Sequence, residues 1–307
     1  MQSLYGKLYL TGAFSLAGTS VITGYLLSAK LPAFTIMMIS MGIVIVCLFP
    51  FFAGKTLQTI RRLTKYDWIM LLLQAVFGIF LFRVFLLFGV TRTSTAEAGI
   101  LTGATPAITS LLAYFILKER LSGYTVLGVC GTVVGIILLQ GSDFDTLHFS
   151  ADHLLGNGLI LCGASCESTF NILSRKHKAS ENQQASAPIH PMVQTLLVCA
   201  FALCFSLIPA LFEHPLPALR ELGIMEWSAL VWYGLIITAV AFGFFYSGAK
   251  RCNAYTIAAF SGIMPLTSVL LSVFFLREST TLLQWIGAAL VICSILFIGQ
   301  KKRRKSW

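Results

Sequence analysis

Two ionisable residues lie in the interior of long apolar stretches of the sequence. Glu167 occurs in "GASCESTFNILS", with Asn171 one helical turn further along on the same face, and Arg83 occurs in "GIFLFRVFLLFG". Ionisable side chains are costly in apolar surroundings and are typical of functional sites there. Glu167 would bind a cation or a proton, and Arg83 would be its partner or would contact a substrate carboxylate. The alternative is a buried pair that only fixes helix packing.

Neutral polar and aromatic side chains form a second set of candidates. Gln74 and Tyr25 could supply hydrogen bonds to a bound molecule, or could link neighbouring helices instead. Trp232, Tyr233 and Tyr246 could line a cavity and hold an organic molecule by stacking, or a cation by its attraction to the ring. Because the chain contains 24 phenylalanines, the alternative for these three is an aromatic side chain that simply faces lipid.

Glu97, Pro106 and Pro265 are candidates for a gate or a hinge. Glu97 stands near the start of an apolar stretch, where an acid either favours the positive end of a helix or closes an opening. Pro106, in "TPAITSLLAYFILKER", and Pro265, in "MPLTSVLLSVFFLRES", interrupt apolar stretches, and proline removes a backbone hydrogen bond. Each proline is therefore either a moving kink or a static packing bend.

Composition indicates which kind of element must position these residues. Hydrophobic residues make up 57% of the 307-residue chain and charged residues 11%, with a mean hydropathy of +0.83. These values lie outside the usual range for soluble globular domains. Since a backbone in lipid must satisfy its own hydrogen bonds, apolar segments of about 20 residues predict membrane-spanning helices. The expected fold class is an all-α integral membrane protein.

Ten such segments can be placed along the chain. The first is too long for the apolar part of a signal peptide and lacks a clear cleavage site, so it is expected to remain as the first helix. The segments, numbered 1 to 10 in chain order, run near residues 9–27, 31–52, 68–88, 96–117, 121–139, 155–173, 191–211, 227–249, 254–276 and 282–298.

Basic residues are distributed unevenly between the two sides that ten spans would define. Most of them, including the terminal "KKRRK", fall on one side, which predicts that both termini lie in the cytoplasm. The expected location is the inner membrane of a bacterium. The net charge of +10 is then explained by loops that meet anionic lipid rather than by nucleic-acid binding. Only four fall on the opposite side: Lys30, Arg92, Arg220 and Arg277.

The chain contains an internal repeat, in which matched positions differ in sequence number by a constant 159. The two proline stretches align without a gap, and the same offset covers segments 2–5 and 7–10. Segment 1 matches segment 6 only at an offset of 146, which implies an insertion in the loop 177–190. The matched pairs include Gly103 with Gly262, Pro106 with Pro265, Arg92 with Arg251, Trp68 with Trp227 and Pro32 with Pro191.

Five segments per repeat is an odd number, so the two halves are expected to cross the membrane in opposite directions. The predicted organisation is a first repeat at 1–141, an external loop at 142–154, a second repeat at 155–300 and a basic cytoplasmic tail at 301–307. Inverted repeats are typical of transporters, with the substrate site near the membrane midplane between the halves. The alternative is a duplicated protein that transports nothing.

The repeated stretch resembles that of a known family. The "TP" or "MP", the endings "LLAYFILKER" and "VLLSVFFLRES", and the glycine some nine positions later are similar to the paired EamA domains of the drug/metabolite transporter superfamily. The resemblance covers nearly the whole chain and implies ten helices around a central cavity, with segments 5 and 10 at the periphery. Unlike many members, this chain has no arginine soon after Pro32.

The resemblance and the repeat together predict a secondary-active transporter that exports a small organic metabolite, such as an amino acid or an amine, by alternating access around a midplane cavity. Alternatives are efflux of cationic drugs and a permease of the nucleotide-sugar type. A membrane-embedded enzyme is disfavoured, because the sequence has no Walker A, H-E-x-x-H or G-x-S-x-G motif. A receptor, also a less favoured alternative, would have no cavity across the membrane midplane and no alternating access. The expected partners are the lipid bilayer and a small-molecule substrate; a coupling proton and a homodimer remain open.

Cysteine and histidine give no indication of a metal site or a cofactor. The eight cysteines are scattered through apolar segments, and no pair has the spacing of zinc ligands. All five histidines fall in predicted loops. We therefore expect no metal, no cofactor and no catalytic residue.

Overall fold

The computed structural model describes residues 2–118, 123–140, 151–183, 189–252, 254–277 and 281–299. Residues 142–150 of the predicted external loop and the predicted tail 301–307 lie outside these ranges. Within the described ranges every regular element is helical and no β-strand occurs, as expected for a backbone that must satisfy its hydrogen bonds without water.

The described part of the first half forms eight α-helices. A π-helical segment, Val76–Leu81, joins α4 to α5, and one 3₁₀ turn, Thr102–Ala104, joins α6 to α7. The helices are α1 (Gln2–Gly18), α2 (Ser20–Ser28), α3 (Ala33–Arg62), α4 (Lys65–Ala75), α5 (Phe82–Val90), α6 (Thr95–Leu101), α7 (Thr105–Leu117) and α8 (Gly123–Gln140).

The described part of the second half forms eight more α-helices. A second π-helical segment, Trp232–Val240, joins α12 to α13. The helices are α9 (Ala151–Gln183), α10 (Pro191–Phe212), α11 (Pro215–Arg220), α12 (Ile224–Val231), α13 (Ala241–Ala249), α14 (Ala254–Ser261), α15 (Ile263–Leu276) and α16 (Leu282–Gly299).

Local irregularities recur between the halves at the offset of the sequence repeat. The two π-helical segments end at repeat-matched positions, Leu81 and Val240, and both ends of α16 match the corresponding ends of α8 at the same offset. Helices α7 and α15 both end at a residue in the left-handed conformation, Lys118 with φ 52° and Arg277 with φ 51°. The matched residues of the sequence therefore occupy the same local structure in each half.

The offset of 146 between segments 1 and 6 is wrong. Gly6 packs against Arg251, whose Cβ would lie 2.8 Å from a Cβ at the glycine, and Gly156 packs in the same way against Arg92, again at 2.8 Å. Arg92 and Arg251 are repeat partners, so Gly6 and Gly156 are partners too, which sets the offset at 150. The error is four positions, about one helical turn, a shift that keeps the same face of the helix aligned.

Several helices match the dimensions of a bilayer. Among the described residues seven helical stretches are long and apolar enough to span a membrane, and Gly123–Gly135 and Trp285–Ser294 are shorter apolar helices. Helix α9 is long but is not among the seven, because its sequence includes Asn157, Glu167 and Asn171. The protein is an integral membrane protein whose most polar long helix is α9.

The two halves interleave instead of lying side by side. Helix α1 packs against α13 and α15 of the second half, and α9 packs against α5 and α7 of the first half. Helices α3 and α10 form one cross-half pair, and α8 and α16 form another. The centre of the molecule is therefore surrounded by helices from both halves.

Glu213 joins the halves at the end of α10. Its carboxylate accepts hydrogen bonds from the backbone N–H of Phe34 (3.2 Å), the backbone N–H of Thr35 (2.7 Å) and the Thr35 hydroxyl (2.8 Å). The first turn of a helix has no intrahelical partner for its N–H groups, and a negative charge is favourable there. Glu213 thus caps α3 from the other half of the chain.

Removing this cap should destabilise the protein. Glu213→Gln replaces the charged acceptor, and we expect a loss of about 1 to 2 kcal/mol, seen as a lower midpoint of thermal unfolding in detergent. Glu221→Gln is the matched control, because Glu221 is exposed. Equal midpoints for the two variants would contradict the assigned role of Glu213.

Candidate functional site

A small cavity lies between the two halves of the chain. Its volume is about 60 Å³, room for a few water molecules and far below the volume of a typical ligand pocket. Helices α1, α5, α9, α13 and α15 and the first π-helical segment contribute to its wall. The lining residues are Ala13, Phe14, Ala17, Gly78, Phe82, Glu167, Phe170, Asn171, Ala241, Phe242, Phe245 and Met264.

Glu167 is the ionisable residue among those that line the cavity. The hydroxyl of Thr105 donates a hydrogen bond to its Oε2 over 3.1 Å. The other oxygen, Oε1, accepts no hydrogen bond from the described residues. A carboxylate held by one neutral donor in an apolar cavity favours a bound proton or a bound cation.

Asn171 lies one turn after Glu167 and also lines the cavity. Its side chain is 2% exposed, and neither its amide nitrogen nor its amide oxygen has a hydrogen-bond partner within the described residues. Leaving a buried amide unpaired costs about 1 to 3 kcal/mol. The unpaired amide is therefore available to a bound molecule.

Phenylalanine rings surround this polar pair. The ring of Phe170 lies 5.3 Å from that of Phe242 and 4.9 Å from that of Phe245 between centroids, and Phe245 meets Phe14 at 6.0 Å. Ring faces attract cations, and the effect is larger away from water. The carboxylate of Glu167 and the phenylalanine rings around it therefore both favour a cationic ligand.

The paired prolines stand directly after two residues at the cavity. Thr105, which bonds Glu167, precedes Pro106, and Met264 of the lining precedes Pro265. Both prolines lie in the first turn of a helix, just after the breaks at Thr102–Ala104 and Gly262, where the missing N–H costs little. The hinge role of the prolines stays a prediction.

Arg83 does not pair with Glu167 within the described part of the chain. Its guanidinium is 3% exposed and donates to the Ser40 hydroxyl (3.1 Å), to the backbone carbonyl of Tyr233 (3.4 Å) and to the Thr238 hydroxyl. It also lies 4.1 Å from the centroid of the Tyr233 ring. Arg83 thus braces the second π-helical segment and does not line the cavity.

Gln74 and Tyr246 belong to a buried hydrogen-bond network. The Tyr246 hydroxyl and the Gln194 amide both donate to the Gln74 oxygen over 3.0 Å. Gln74 Nε2 lies 3.3 Å from Nδ1 of His177, whose Nε2 lies 3.0 Å from Asp67. This network, the Gln74 network, joins α4, α9, α10 and α13.

Glu97 belongs to a separate polar cluster. Its Oε2 accepts from the Thr93 hydroxyl (3.0 Å) and the Asn157 amide (3.4 Å), and it lies 2.9 Å from His153 Nε2. The N–H of Glu97 is capped by Ser94. Glu97 therefore does more than favour a helix start: it links α6 to the beginning of α9.

Helix α9 contributes a residue to each of three polar sites: the Glu97 cluster, the Glu167 cavity and the Gln74 network. Asn157 of the Glu97 cluster and His177 of the Gln74 network are each ten positions from Glu167, about 15 Å along a helix. A polar layer thus lies on each side of the cavity.

Two candidate residues lie away from the cavity. Tyr25 is 42% exposed and Trp232 is 43% exposed. The indole N–H of Trp232 donates to the Thr19 hydroxyl over 3.0 Å, so this side chain ties the end of α12 to the start of α2. Neither residue lines the cavity around Glu167.

The assignment of every histidine to a loop is wrong. His153 and His177 both lie on α9, because that helix extends beyond the apolar segment 155–173 at both ends. Apolarity marks only the part of a helix that meets lipid, so it underestimates a long helix with polar ends. The hydrogen-bond partners Ser40, Thr238, Gln194 and Thr105 were also not expected, since nothing in the pattern distinguishes them.

These features define a helical, multi-spanning membrane protein with a small apolar cavity that is lined by residues from both halves of the chain and contains one carboxyl group. The chain belongs to the EamA-like transporter family, whose family model matches residues 5–140 and 154–300. As a membrane transporter, the protein has the lipid bilayer and a small-molecule substrate as its partners.

Two relatives are uncharacterized transporters, and one solved structure shares the fold. The uncharacterized transporter YetK of Bacillus subtilis (strain 168) is 30% identical over 303 residues, which cover 96% of this chain and 87% of YetK. The uncharacterized transporter YyaM of the same strain is 25% identical over 72% of this chain and 70% of its own. A crystal structure aligns over 95% of both chains with a TM-score of 0.65 and 21% identity, which shows a shared fold.

Glycine at position 78 makes room for one wall of the cavity. A Cβ at this position would lie 2.4 Å from Cδ2 of the Phe170 ring. Gly78→Ala should therefore push Phe170 out of place and reduce transport, whereas Gly158→Ala on α9 meets no atom within 4 Å and should leave transport unchanged.

This expectation can be checked in proteoliposomes by measuring uptake with each variant after its amount and thermal midpoint have been determined. Normal uptake by Gly78→Ala would contradict the role of Gly78 in shaping the cavity.

Proposed function

We propose that this protein is a secondary-active exporter of a small organic metabolite, of the amino acid or amine type, that works by alternating access around the Glu167 cavity. The observation that carries the proposal is a carboxylate with one free oxygen beside an unpaired amide, in a cavity built from both halves. Polar groups inside a membrane protein are expensive and are retained where they bind a substrate or an ion.

The proposed membrane topology is ten spans in two inverted repeats, with both termini in the cytoplasm. It is supported by helix ends and left-handed caps that recur at the repeat offset, and by the interleaving of α1 and α9 with the opposite half. The distribution of basic residues supports the orientation. In such a fold the two repeats rock about the central site.

Alternating access is supported by the hydrogen-bonded polar layers on the two sides of the cavity. The Glu97 cluster joins α6 to α9 on one side, and the Gln74 network joins four helices on the other. A volume of about 60 Å³ is too small for most organic substrates. One polar layer must therefore separate before a substrate enters, and the other must separate before it leaves.

The cavity also supports a mode of coupling. An ionised carboxylate without a counter-ion is strongly disfavoured in a closed apolar cavity. Glu167 would therefore pass through the closed state with either a proton or a cationic group bound to it. Protons that move inward would be exchanged for a substrate that moves outward, which accounts for export without ATP.

Substitution of Glu167 tests the function directly. Glu167→Gln keeps the shape of the side chain but cannot exchange a proton, and loss of a charged hydrogen bond should lower exchange about ten-fold or more. Glu167→Asp keeps the carboxylate and should retain part of the activity. The assay is uptake of valine and isobutylamine into proteoliposomes with an imposed pH gradient, against liposomes without protein.

Two results would contradict the proposal. One is protein-dependent uptake by Glu167→Gln at the wild-type rate and with the wild-type pH dependence. The other is the absence of protein-dependent movement of any compound in a wider panel of amines and amino acids.

A further inference from the structure

We infer that the cavity selects an organic ammonium ion that carries no carboxylate, so that amines are substrates and amino acids are not. This inference rests on the proposed function and narrows it to one substrate class. It follows from the hydrogen-bond acceptors in the cavity, the rings around them and the position of Arg83.

The acceptors in the cavity match an ammonium group. Oε1 of Glu167 accepts no hydrogen bond from the described residues, and the Thr105 hydroxyl holds the other oxygen in place. The amide oxygen of Asn171, one turn away, is also unpaired. An ammonium group has three donors, so it can bond both oxygens and still direct one face toward the rings.

The aromatic wall favours the same ligand. Phe14, Phe82, Phe170, Phe242 and Phe245 all line the cavity. Their faces attract a cation, and they offer a neutral or anionic group no hydrogen bond. An amine carries its charge at one end, and its carbon chain can pack against the remaining rings.

A carboxylate on the ligand would meet no basic partner. The described residues that line the cavity include no lysine, arginine or histidine. Arg83 follows Phe82 of the cavity wall in the sequence. Its guanidinium, however, donates to Ser40, Tyr233 and Thr238. In an α-amino acid the carboxylate is one carbon from the ammonium group, so it would lie close to Glu167 and be repelled.

Matched pairs of ligands test the selection. Isobutylamine is valine without its carboxylate, and phenethylamine is phenylalanine without its carboxylate. We expect each amine to bind the purified protein at least about ten-fold more tightly than its amino acid, as measured by calorimetry. Thermal unfolding should show a larger shift with the amine, since a ligand that binds only the folded state stabilises it.

The Asn171→Leu variant distinguishes a role of Asn171 in binding the amine from a role in the stability of the protein. Because the amide has no partner, leucine should leave the ligand-free thermal midpoint equal or higher, while amine affinity falls several-fold. Asn157→Leu is the matched control: Asn157 bonds Thr93 and Glu97, so its loss should lower the midpoint.

The outcomes are distinguishable. Tighter binding of the amines supports the inference. Equal or tighter binding of the amino acids, especially if Arg83→Lys abolishes it, overturns the inference but leaves the transporter function in place. Binding of neither class, together with no protein-dependent uptake of the wider panel, overturns both.

A second, independent observation concerns the direction of the hydrogen bonds in the Gln74 network. Gln74 Nε2 can only donate, so Nδ1 of His177 must accept, and the ring proton must lie on Nε2 and point to Asp67. The Gln74 oxygen accepts from Tyr246 and Gln194. From Tyr246 to Asp67, every donor points toward Asp67.

We propose that protonation of His177 breaks the hydrogen bonds of the Gln74 network and thereby lets the helices on that side of the cavity separate. An imidazolium donates from both nitrogens, so Nδ1–H would face the NH₂ group of Gln74. To accept this bond Gln74 must turn its oxygen to His177, which directs its NH₂ group at the Tyr246 hydroxyl and the Gln194 amide. Both contacts to Gln74 then have to reverse.

The network is positioned to act on the cavity. Asp67 and the Tyr66 ring face His177 from α4, Tyr246 faces it through Gln74, and Arg175 and Lys176 precede it on α9. The ring of Tyr246 packs at 5.9 Å from Phe170 and at 5.6 Å from Phe245, two residues of the cavity wall. During the reversal the hydrogen bonds that join α10 and α13 to α4 beside this wall would have to break and form again.

The pH dependence of transport tests the proposed opening of the Gln74 network. Wild-type exchange should rise as the medium is made more acidic, and His177→Gln, whose side chain cannot take up a proton, should lose that rise. His214→Gln, at an exposed residue, is the matched control and should keep it. The proposal would be overturned if the His177→Gln variant folds with an unchanged thermal midpoint and its exchange rate still rises at low pH as in the wild type.

Discussion

Polar groups inside a bilayer must find their partners within the protein, and this constraint organises the structure. Where it is met, the bonds join distant parts of the chain: Glu213 caps the start of α3, Arg83 braces the π-helical segment between α12 and α13, and Gln74 connects four helices. At the cavity it is met only in part, since Oε1 of Glu167 and the amide of Asn171 have no partner among the described residues. Unpaired groups that line a cavity favour a ligand as their missing partner.

A nearly symmetric scaffold carries an asymmetric site. The two halves share helix ends, π-helical segments and left-handed caps at the offset of the sequence repeat. At the offset of 150 that relates α1 to α9, however, Glu167 corresponds to Ala17 and Asn171 to Val21. The repeat thus accounts for two equivalent halves that could move against each other. The carboxyl group and the unpaired amide among the described lining residues both come from α9.

The helical membrane fold, the repeated pattern and the choice of Glu167 and Asn171 as candidates all follow from the sequence, because apolarity, periodicity and ionisable groups in apolar segments are local patterns. Both candidates line the cavity, and their role stays a prediction. The sequence does not predict which way a side chain points. Arg83 was expected near Glu167 or a substrate, yet it braces another helix through neutral partners. His177 escaped notice because it lies beyond the apolar part of α9. The predicted alignment of segment 1 with segment 6 was wrong by one helical turn, because the same helical face recurs at that interval.

The central claim is that a ligand supplies the missing partner of Glu167 and Asn171. A structure of the protein in lipid nanodiscs with isobutylamine or phenethylamine bound tests it most directly. We expect the ammonium nitrogen to lie within hydrogen-bond distance of Glu167 and of the Asn171 oxygen, about 2.7 to 3.2 Å, in a cavity whose volume is larger than the present value of about 60 Å³. An amine bound elsewhere, with the Glu167 cavity unchanged, would contradict it.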